Sequence, residues 1–144
     1  MDLLDTTALS AAMRNEDEMV EYLEARRPGT LAIAPPVLAE IEYGLRRLEH
    51  GSRARSLLKA QKDRLLGHLR ILDWDQPSSE YFGEIKASLE KAGKLIDDFD
   101  IAIAAIARSH AARVITANLV HFRRIEGLES RHWTEAREPP GHAG

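Results

Sequence analysis

The sequence predicts an α/β protein with a central parallel sheet of four or five strands flanked by helices. Short apolar segments recur along the chain, and each is followed by a longer segment with helical periodicity. Strands that alternate with helices form a parallel sheet whose two faces are covered. Acidic and hydroxyl residues follow the predicted strand ends, and such sheets bind their ligands at that edge. The functional site is therefore expected at the carboxyl ends of the strands.

Composition limits the kinds of site that the chain can hold. With 144 residues, 44% of them hydrophobic, the chain suits one compact domain, which we assign to residues 1–137, followed by a loosely held tail at 138–144. The absence of cysteine excludes disulfides, thiolate zinc sites and cysteine nucleophiles. No basic leader and no apolar run near the roughly 20 residues of a membrane span are present, so we expect a cytoplasmic protein.

The first two strands are predicted near the start of the chain. Residues 3–4 form a short apolar strand, and Asp5 lies at its C-terminal end. A helix is predicted to begin at Asn15, an N-cap residue with Glu18 three positions later. The second strand covers residues 30–34, which are apolar and bounded by glycine and proline.

The helix after the second strand carries two candidate acids. It begins near Pro36, which suits a first helical turn. Glu42 lies one turn before Arg46, the spacing of an ordinary exposed ion pair. Glu40 lies one turn before Gly44, which leaves open space beside it. We prefer Glu40 as the site residue, although periodicity alone does not separate the two.

The next helix, predicted at residues 52–69, is strongly basic. Residues 46–70 contain eight basic and two acidic residues, whereas the whole chain has a net charge of -3. A basic segment beside an acidic site would hold a polyanion there, but a helix pair with solvated charged faces has the same composition. Leucines are spaced to pack this helix on the preceding one as a hairpin: Leu57, Leu58, Leu65, Leu66 and Leu69.

A cluster of acids precedes the most apolar helix of the chain. Asp97, Asp98 and Asp100 lead into residues 101–107, which are apolar on nearly every side of a helix. A capping role explains Asp97 or Asp98. It does not explain Asp100, which would lie against an apolar segment and need a hydrogen-bond partner or a cation to remain ionised.

The remaining elements complete the predicted sheet. Residues 70–74 form a third strand, residues 78–92 a helix, and residues 113–118 a fourth strand. Thr116 and Asn118 lie at the end of that strand, and a loop with histidine and phenylalanine at positions 121 and 122 follows.

Four polar residues are expected to meet in one cleft. Asp5 and Asn118 lie at strand ends, and Glu40 and Asp100 lie in early turns of helices that leave the same edge of the sheet. Carboxylate and amide oxygens suit Mg²⁺ or Mn²⁺. Such an ion lowers the pKa of a bound water and neutralises charge on a phosphodiester, so the site predicts metal-assisted phosphodiester cleavage.

Four segments carry a resemblance to a known family. Together they span almost the whole chain: Leu3-Leu4-Asp5-Thr6, Ala39-Glu40-Ile41-Glu42-Tyr43-Gly44-Leu45, Asp100-Ile101-Ala102-Ile103-Ala104-Ala105, and Ile115-Thr116-Ala117-Asn118 with His121-Phe122. In order and spacing they resemble the PIN-domain ribonucleases of the VapC type, the toxins of bacterial type II toxin–antitoxin pairs. The resemblance implies a PIN-like three-layer fold and a Mg²⁺-dependent endoribonuclease.

The resemblance also implies roles for individual residues. Asp5, Glu40 and Asp100 match the family's Mg²⁺ ligands, and Thr6 and Thr116 match hydroxyl positions that support the acids. The fourth catalytic position, often aspartate in the family, is Asn118 here, which orients a water without adding charge. One tightly held ion is therefore expected. His121 is interpreted either as a residue of the cleft rim that touches phosphate or as an exposed loop histidine.

The partners that the resemblance implies are an RNA substrate, a cognate antitoxin and a second copy of the chain. In the family the antitoxin tends to bind the helix pair that corresponds to residues 37–69 here, so the basic segment would serve RNA and antitoxin alike. Two alternatives remain. A PIN-fold protein that only binds RNA or a partner is favoured by Asn118. A receiver-like signalling domain would need an acidic pair after the first strand and a lysine after Thr116, and this chain has neither.

Overall fold

A five-stranded sheet runs through the centre of the computed structural model, which describes residues 1–136. Its strand order is β3-β2-β1-β4-β5, and every neighbouring pair is parallel. The strands are β1 (Asp2–Leu4), β2 (Leu31–Ile33), β3 (Arg70–Ile71), β4 (Arg113–Ile115) and β5 (Ser130–Arg131). The predicted α/β fold with a parallel sheet is confirmed, and the predicted tail at 138–144 lies outside the described residues.

Seven helices within the described residues surround this sheet. They are α1 (Thr6–Met13), α2 (Asp17–Glu24), α3 (Pro35–Arg46), α4 (Arg53–Leu66), α5 (Gln76–Lys91), α6 (Asp98–Ser109) and α7 (Leu119–Phe122). Strands β1, β2 and β4 are buried along their whole length because helices cover the sheet. Within residues 1–136, no helix is long and apolar enough to cross a membrane.

Helix α6 is the most deeply buried helix of the fold. Every residue from Ile101 to Ala107 is buried, as the apolar sequence predicts. Its polar N-terminal turn reaches the surface at the edge of the sheet where the strands end. Burial of the helix body therefore fixes the place of the acids that precede it.

Two elements near the site differ from the sequence-based expectation. Helix α1 begins directly after Asp5 and was not predicted, because its small residues give little helical periodicity. The segment that contains His121 and Phe122 is the short helix α7 instead of a loop. Both elements lie next to the strand ends, so both help to position the site.

The start of α2 also differs from the prediction. Asn15 does not cap this helix; it has a φ of 54°, in the left-handed region that asparagine tolerates, and its Oδ1 accepts a hydrogen bond from Gln61 Nε2 at 2.9 Å. Glu16 is the N-cap residue, and its side chain makes no capping hydrogen bond. The predicted capping pair of Asn15 and Glu18 is therefore wrong.

Helix α5 begins earlier than predicted. Asp75 caps it, with the Asp75 carboxylate accepting from the backbone N–H and the hydroxyl of Ser78 at 2.9 and 2.6 Å. Ser78 is thus the third helical residue instead of the start. Strands β3 and β4 are also shorter than predicted, since they end at Ile71 and Ile115.

The helical hairpin of α3 and α4 forms with two local differences. Glu42 pairs with Lys62 of α4 and not with Arg46, because Lys62 brings a largely buried ammonium group to the Glu42 carboxylate. Leu57 was expected to pack on α3 but is exposed, whereas Leu58, Leu65 and Leu66 pack partly against the core.

Candidate functional site

Asp5 lies at the centre of the candidate site. Strand β1 ends at Leu4, and Asp5 caps α1 by accepting a hydrogen bond from the backbone N–H of Ala8 at 2.9 Å. The hydroxyls of Thr7 and Thr116 donate to its two carboxylate oxygens at 2.6 and 2.5 Å. The side chain is 1% exposed. A buried carboxylate is therefore held in a fixed orientation by three neutral donors.

Two threonines join the ends of β1 and β4 around this carboxylate. Thr116 Oγ1 accepts a hydrogen bond from the Asn118 backbone N–H at 2.8 Å, and Thr7 Oγ1 accepts one from the Ala117 backbone N–H at 2.9 Å. Thr116 is thus placed as the sequence predicts. Thr7 was not chosen as a supporting residue, although its position two residues after an aspartate is typical of such hydroxyl contacts.

Glu40 reaches the same edge of the sheet from α3. Thr6 Oγ1 donates a hydrogen bond to Glu40 Oε1 at 2.6 Å, and Thr6 directly follows Asp5 in the chain. Gly44, one turn later, has open space around its Cα. Glu42 instead pairs with Lys62 on the α4 side. Glu40 therefore contacts the residue that follows Asp5, whereas Glu42 pairs with α4, and the choice of Glu40 as the site residue stays a prediction.

The three aspartates before α6 have three different surroundings. Asp97 caps the helix by accepting from the backbone N–H of Phe99 at 2.8 Å, as predicted for one member of the cluster. Asp98 is exposed and forms an ion pair with Lys86 at 3.0 Å instead of capping. Asp100 is largely buried, and its Oδ2 lies 3.2 Å from His121 Nδ1. Of the three, only Asp100 turns toward the interior of the site.

His121 has a defined partner through this contact. Because an ionised carboxylate can only accept hydrogen bonds, His121 Nδ1–H is the donor to Asp100 when that carboxylate is ionised. The imidazole is half exposed, so its other nitrogen remains accessible. The histidine therefore belongs to the rim of the site, which favours the first of its two interpretations.

The surroundings of Asp5 and Asp100 disfavour the charged form of each carboxyl group. Burial raises the pKa of Asp5; the hydrogen bonds from Thr116, Thr7 and Ala8 oppose this effect, and the charge of Asp100 adds to it. Burial also raises the pKa of Asp100, against a lowering by His121. Among residues 1–136, no lysine or arginine forms an ion pair with Asp5, Glu40 or Asp100. Asp5 therefore has only neutral partners, and the basic partner of Asp100 is the imidazole of His121.

The donor set fits a hard divalent cation. Its atoms are carboxylate, hydroxyl and amide oxygens, which Mg²⁺ and Mn²⁺ prefer, and the uncompensated charge would be neutralised by such an ion. As the side chains stand, however, no three Asp, Glu or His residues in the described part of the chain form a cluster ready to hold a metal. Thr6 holds Glu40 and His121 holds Asp100, so these carboxylates would have to approach one another and Asp5 to share an ion.

The backbone of Asn118 is linked to Asp5 through the hydroxyl of Thr116. Its N–H is bound to Thr116 Oγ1, and its side chain makes no capping hydrogen bond to α7. Asn118 follows β4, which ends at Ile115, so the residue lies at the C-terminal edge of the sheet. Its role in binding a metal or a water stays a prediction, as does the joint binding of one ion by Asp5, Glu40 and Asp100.

A groove opens directly beside Glu40. It has a volume of about 700 Å³ and contains both polar and apolar surface. Glu40, Asp97 and Phe99 line it together with other residues of α1, α3 and α4 and two residues that follow α3. We call it the α3 groove.

Comparisons with known proteins give a consistent result. Residues 3–128 match the model of the PIN domain family. A protein of Haemophilus influenzae named ribonuclease VapC2 is 33% identical over 129 residues, which cover 82% of this chain and 95% of that protein. A protein of Shigella flexneri named tRNA(fMet)-specific endonuclease VapC is 26% identical over 132 residues, covering 92% of this chain and 97% of that protein.

A solved structure shows the same fold. In the crystal structure of VapBC2 from Rickettsia felis bound to a DNA fragment from their promoter, the matched chain superposes with a TM-score of 0.81 at 30% identity. The match covers 92% of this chain and 98% of that chain. Similarity therefore extends over nearly the full length of the relatives, in sequence and in fold.

Proposed function

This chain belongs to the PIN domain family, and from that premise we propose that it is a Mg²⁺-dependent endoribonuclease, the toxin of a type II toxin–antitoxin pair. The observation that carries the proposal is the pair of Asp5 and Asp100, two buried or largely buried carboxylates at the strand ends; neither forms an ion pair with a lysine or arginine within residues 1–136, and the charge of Asp100 raises the pKa of Asp5. A fold tolerates such repulsion where a function requires it.

The residues have separate roles in this proposal. Asp5, Glu40 and Asp100 would hold the ion, Thr116 and Thr7 orient Asp5, and Thr6 orients Glu40. A bound divalent cation would supply charge neutralisation at the scissile phosphate and a water with a lowered pKa. His121 keeps Asp100 in place, and its second nitrogen is accessible to a phosphate oxygen.

Cleavage of RNA by the purified chain tests the proposal. We expect cleavage in Mg²⁺, loss of cleavage in EDTA, and loss of cleavage in Asp100→Asn. The matched control is Asp98→Asn, which removes the same charge from the same helical turn but outside the site. Full cleavage by a folded Asp100→Asn protein would contradict the proposal.

Partners of the chain form the second part of the proposal. We infer that a cognate antitoxin covers the α3 groove and blocks access to Glu40, because the groove is largely apolar and joins the site. We also infer a homodimer, as the resemblance implies. Co-expression with the protein encoded by the adjacent reading frame, followed by light scattering of the purified complex, measures both. A monomeric chain that its neighbour does not bind would contradict this part.

A second candidate is a PIN-fold protein that binds RNA but cleaves it poorly. The observation in its favour is Asn118, which places a neutral amide at a position that is often acidic in the family. RNA binding without Mg²⁺-dependent turnover, together with a gain of cleavage in Asn118→Asp, would support this candidate over the first.

A further inference from the structure

Another cavity lies at the edge of the sheet opposite to the candidate site. Its volume is about 560 Å³, and residues at the ends of α2 and α4 and at the starts of β2 and β3 line it. Four leucines contribute to its walls: Leu23, Leu31, Leu65 and Leu69. A cavity of this size is in the range that binds small molecules. We call it the N-edge cavity.

Three arginines line the N-edge cavity together with one acidic residue. The arginines are Arg26, Arg27 and Arg70, the acid is Glu24, and exposed His68 is the other titratable residue of the lining. Arg27 and Arg70 are exposed. Within residues 1–136, neither of these two side chains forms an ion pair or a hydrogen bond. Both guanidinium groups are therefore free to bind an anion.

The ends of two helices account for part of this positive charge. Helices α2 and α4 both end at the cavity, and basic residues after a helix C-terminus ordinarily balance the negative end of the helix dipole. Two such ends carry together about one unit of negative charge. The three arginines exceed this charge and that of Glu24, so positive charge remains at the cavity.

Arg26 differs from the other two arginines because its guanidinium is buried. Its side chain is 1% exposed, and its Cζ lies 4.5 Å from the centroid of the Tyr22 ring. None of its three nitrogens forms a hydrogen bond, and its Nη1 lies 3.4 Å from Asp2 Oδ2. Both Asp2 oxygens already accept hydrogen bonds from Arg113. One carboxylate thus faces two guanidinium groups, and the excess charge is poorly screened because it is buried.

We propose that the N-edge cavity binds a small phosphorylated molecule with a flat or apolar body, of the class of a nucleoside monophosphate. Arg27 and Arg70 contact the phosphate, whose oxygens accept charge-assisted hydrogen bonds from guanidinium groups. The leucines pack on the body of the ligand, and the buried charge of Arg26 adds to the attraction. The carboxylates of the candidate site lie at the other edge of the sheet, so this site does not depend on the proposed function.

Titration with adenosine monophosphate (AMP) tests the site. AMP, adenosine and inorganic phosphate are each added to the full chain in EDTA, and calorimetry measures the three affinities. Amide NMR spectra locate the ligand. Gly29 and Gly67 line the N-edge cavity, whereas Gly44 lines the α3 groove, so shifts of their amide signals distinguish the two places.

Variants of the exposed arginines show whether the phosphate is recognised. Arg27→Gln and Arg70→Gln each remove one charge from the cavity. Arg64→Gln is the matched control, because Arg64 is an exposed arginine of α4 outside the lining. Thermal melting verifies that each variant is folded.

The proposal expects binding that depends on the phosphate and on the body of the ligand. AMP should bind one site, shift the signals of Gly29 and Gly67, and bind at least about tenfold more tightly than adenosine or inorganic phosphate. Each cavity variant should bind AMP about tenfold more weakly, as expected for lost hydrogen bonds to a charged group, and Arg64→Gln should bind like wild type.

Several outcomes would overturn the site. These are the absence of AMP binding, binding that shifts Gly44 instead of Gly29 and Gly67, and equal affinity for AMP and either of the other two compounds. Equal affinity of all the arginine variants for AMP would overturn it as well.

Discussion

An aspartate lies at each end of β1, and the two side chains have opposite electrostatic surroundings. Asp2 and Asp5 are each 1% exposed and lie three residues apart. Asp2, paired in register with Arg113 of β4, accepts two hydrogen bonds from that guanidinium at 2.9 Å each and one from the Tyr22 hydroxyl at 2.6 Å. Arg26 adds an ion-pair contact at 3.4 Å without a hydrogen bond. Asp5 has only neutral donors and faces Asp100.

This difference separates a structural carboxylate from a candidate functional one. At the N-terminal edge of the sheet, the buried charge is matched by cations of the fold, which is how buried ions are ordinarily retained. At the C-terminal edge, the fold gives Asp5 only neutral partners and Asp100 only a histidine, at some cost in stability. Asp2 and Asp5 are equally buried, so it is the partners of a buried acid, and not its burial, that indicate where an external cation is needed.

The largest change in stability is expected at the N-terminal end of β1, where arginines match the charge of Asp2. Asp2→Asn leaves the Arg26 guanidinium buried without an ion-pair partner among residues 1–136 and Arg113 with only the half-exposed Glu129 at 3.8 Å, so we expect the free energy of unfolding to fall by about 3–5 kcal/mol. Urea denaturation measures it. Asp98→Asn, which removes an exposed pair with Lys86, should cost about 1 kcal/mol or less. Equal losses for the two variants would contradict the distinction.

A smaller change in stability, in the opposite direction, is expected at the C-terminal end of β1. Asp100→Asn removes a largely buried charge that also raises the pKa of Asp5, so the metal-free protein should gain about 0.5–2 kcal/mol of stability, as substitutions in strained functional sites commonly do. The same variant should lose RNA cleavage. Urea denaturation in EDTA and a cleavage assay measure the two effects. A large loss of stability would show that Asp100 is a structural residue.

The smallest effect is expected in the pH dependence of metal-free stability. The pKa values of Asp5 and Asp100 are raised in the folded protein, so the folded state binds more protons than the unfolded state at pH values just above the unfolded pKa near 3.8. Stability from these groups therefore decreases as the pH rises through that window, and it recovers as the pH falls toward 4.

Asp75 provides the opposite sign for comparison. Its pKa is lowered to about 2, first by the hydrogen bond from Ser109 and then by those from Ser78, so its contribution is present above pH 4 and is lost as the pH falls toward 2. Thermal melting in EDTA, repeated at pH values across this range, measures both pH dependences of stability. Asp100→Asn should flatten the dependence above pH 4, and an unchanged profile would contradict the assignment.

The positions of the candidate acids along the chain could be predicted from the sequence, for a physical reason. Asp5 follows an apolar strand, Glu40 lies beside a glycine gap, and Asp100 enters an apolar helix, so local patterns identify all three. Parallel topology then places them at one edge. The fold class follows from the same alternation of strands and helices.

Contacts between distant residues could not be predicted in this way. The pairing of Asp2 with Arg113 depends on strand register, and the contact of His121 with Asp100 depends on how α7 docks on α6. Glu42 pairs with Lys62 of α4 because packing brings this side chain closer than Arg46, the neighbour of Glu42 on α3. Local periodicity contains no information about these distances. The acids were therefore predictable, whereas their partners were not.

Binding of Mg²⁺ tests the central claim most directly. Calorimetric titration of Mg²⁺ into wild type, Asp100→Asn and Asp98→Asn compares an unmatched carboxylate with an exposed one of the same charge on the same helix. We expect wild type and Asp98→Asn to bind one ion with the same affinity and Asp100→Asn to lose binding. Equal binding by all three proteins would contradict the claim that the unmatched end of β1 is the metal centre.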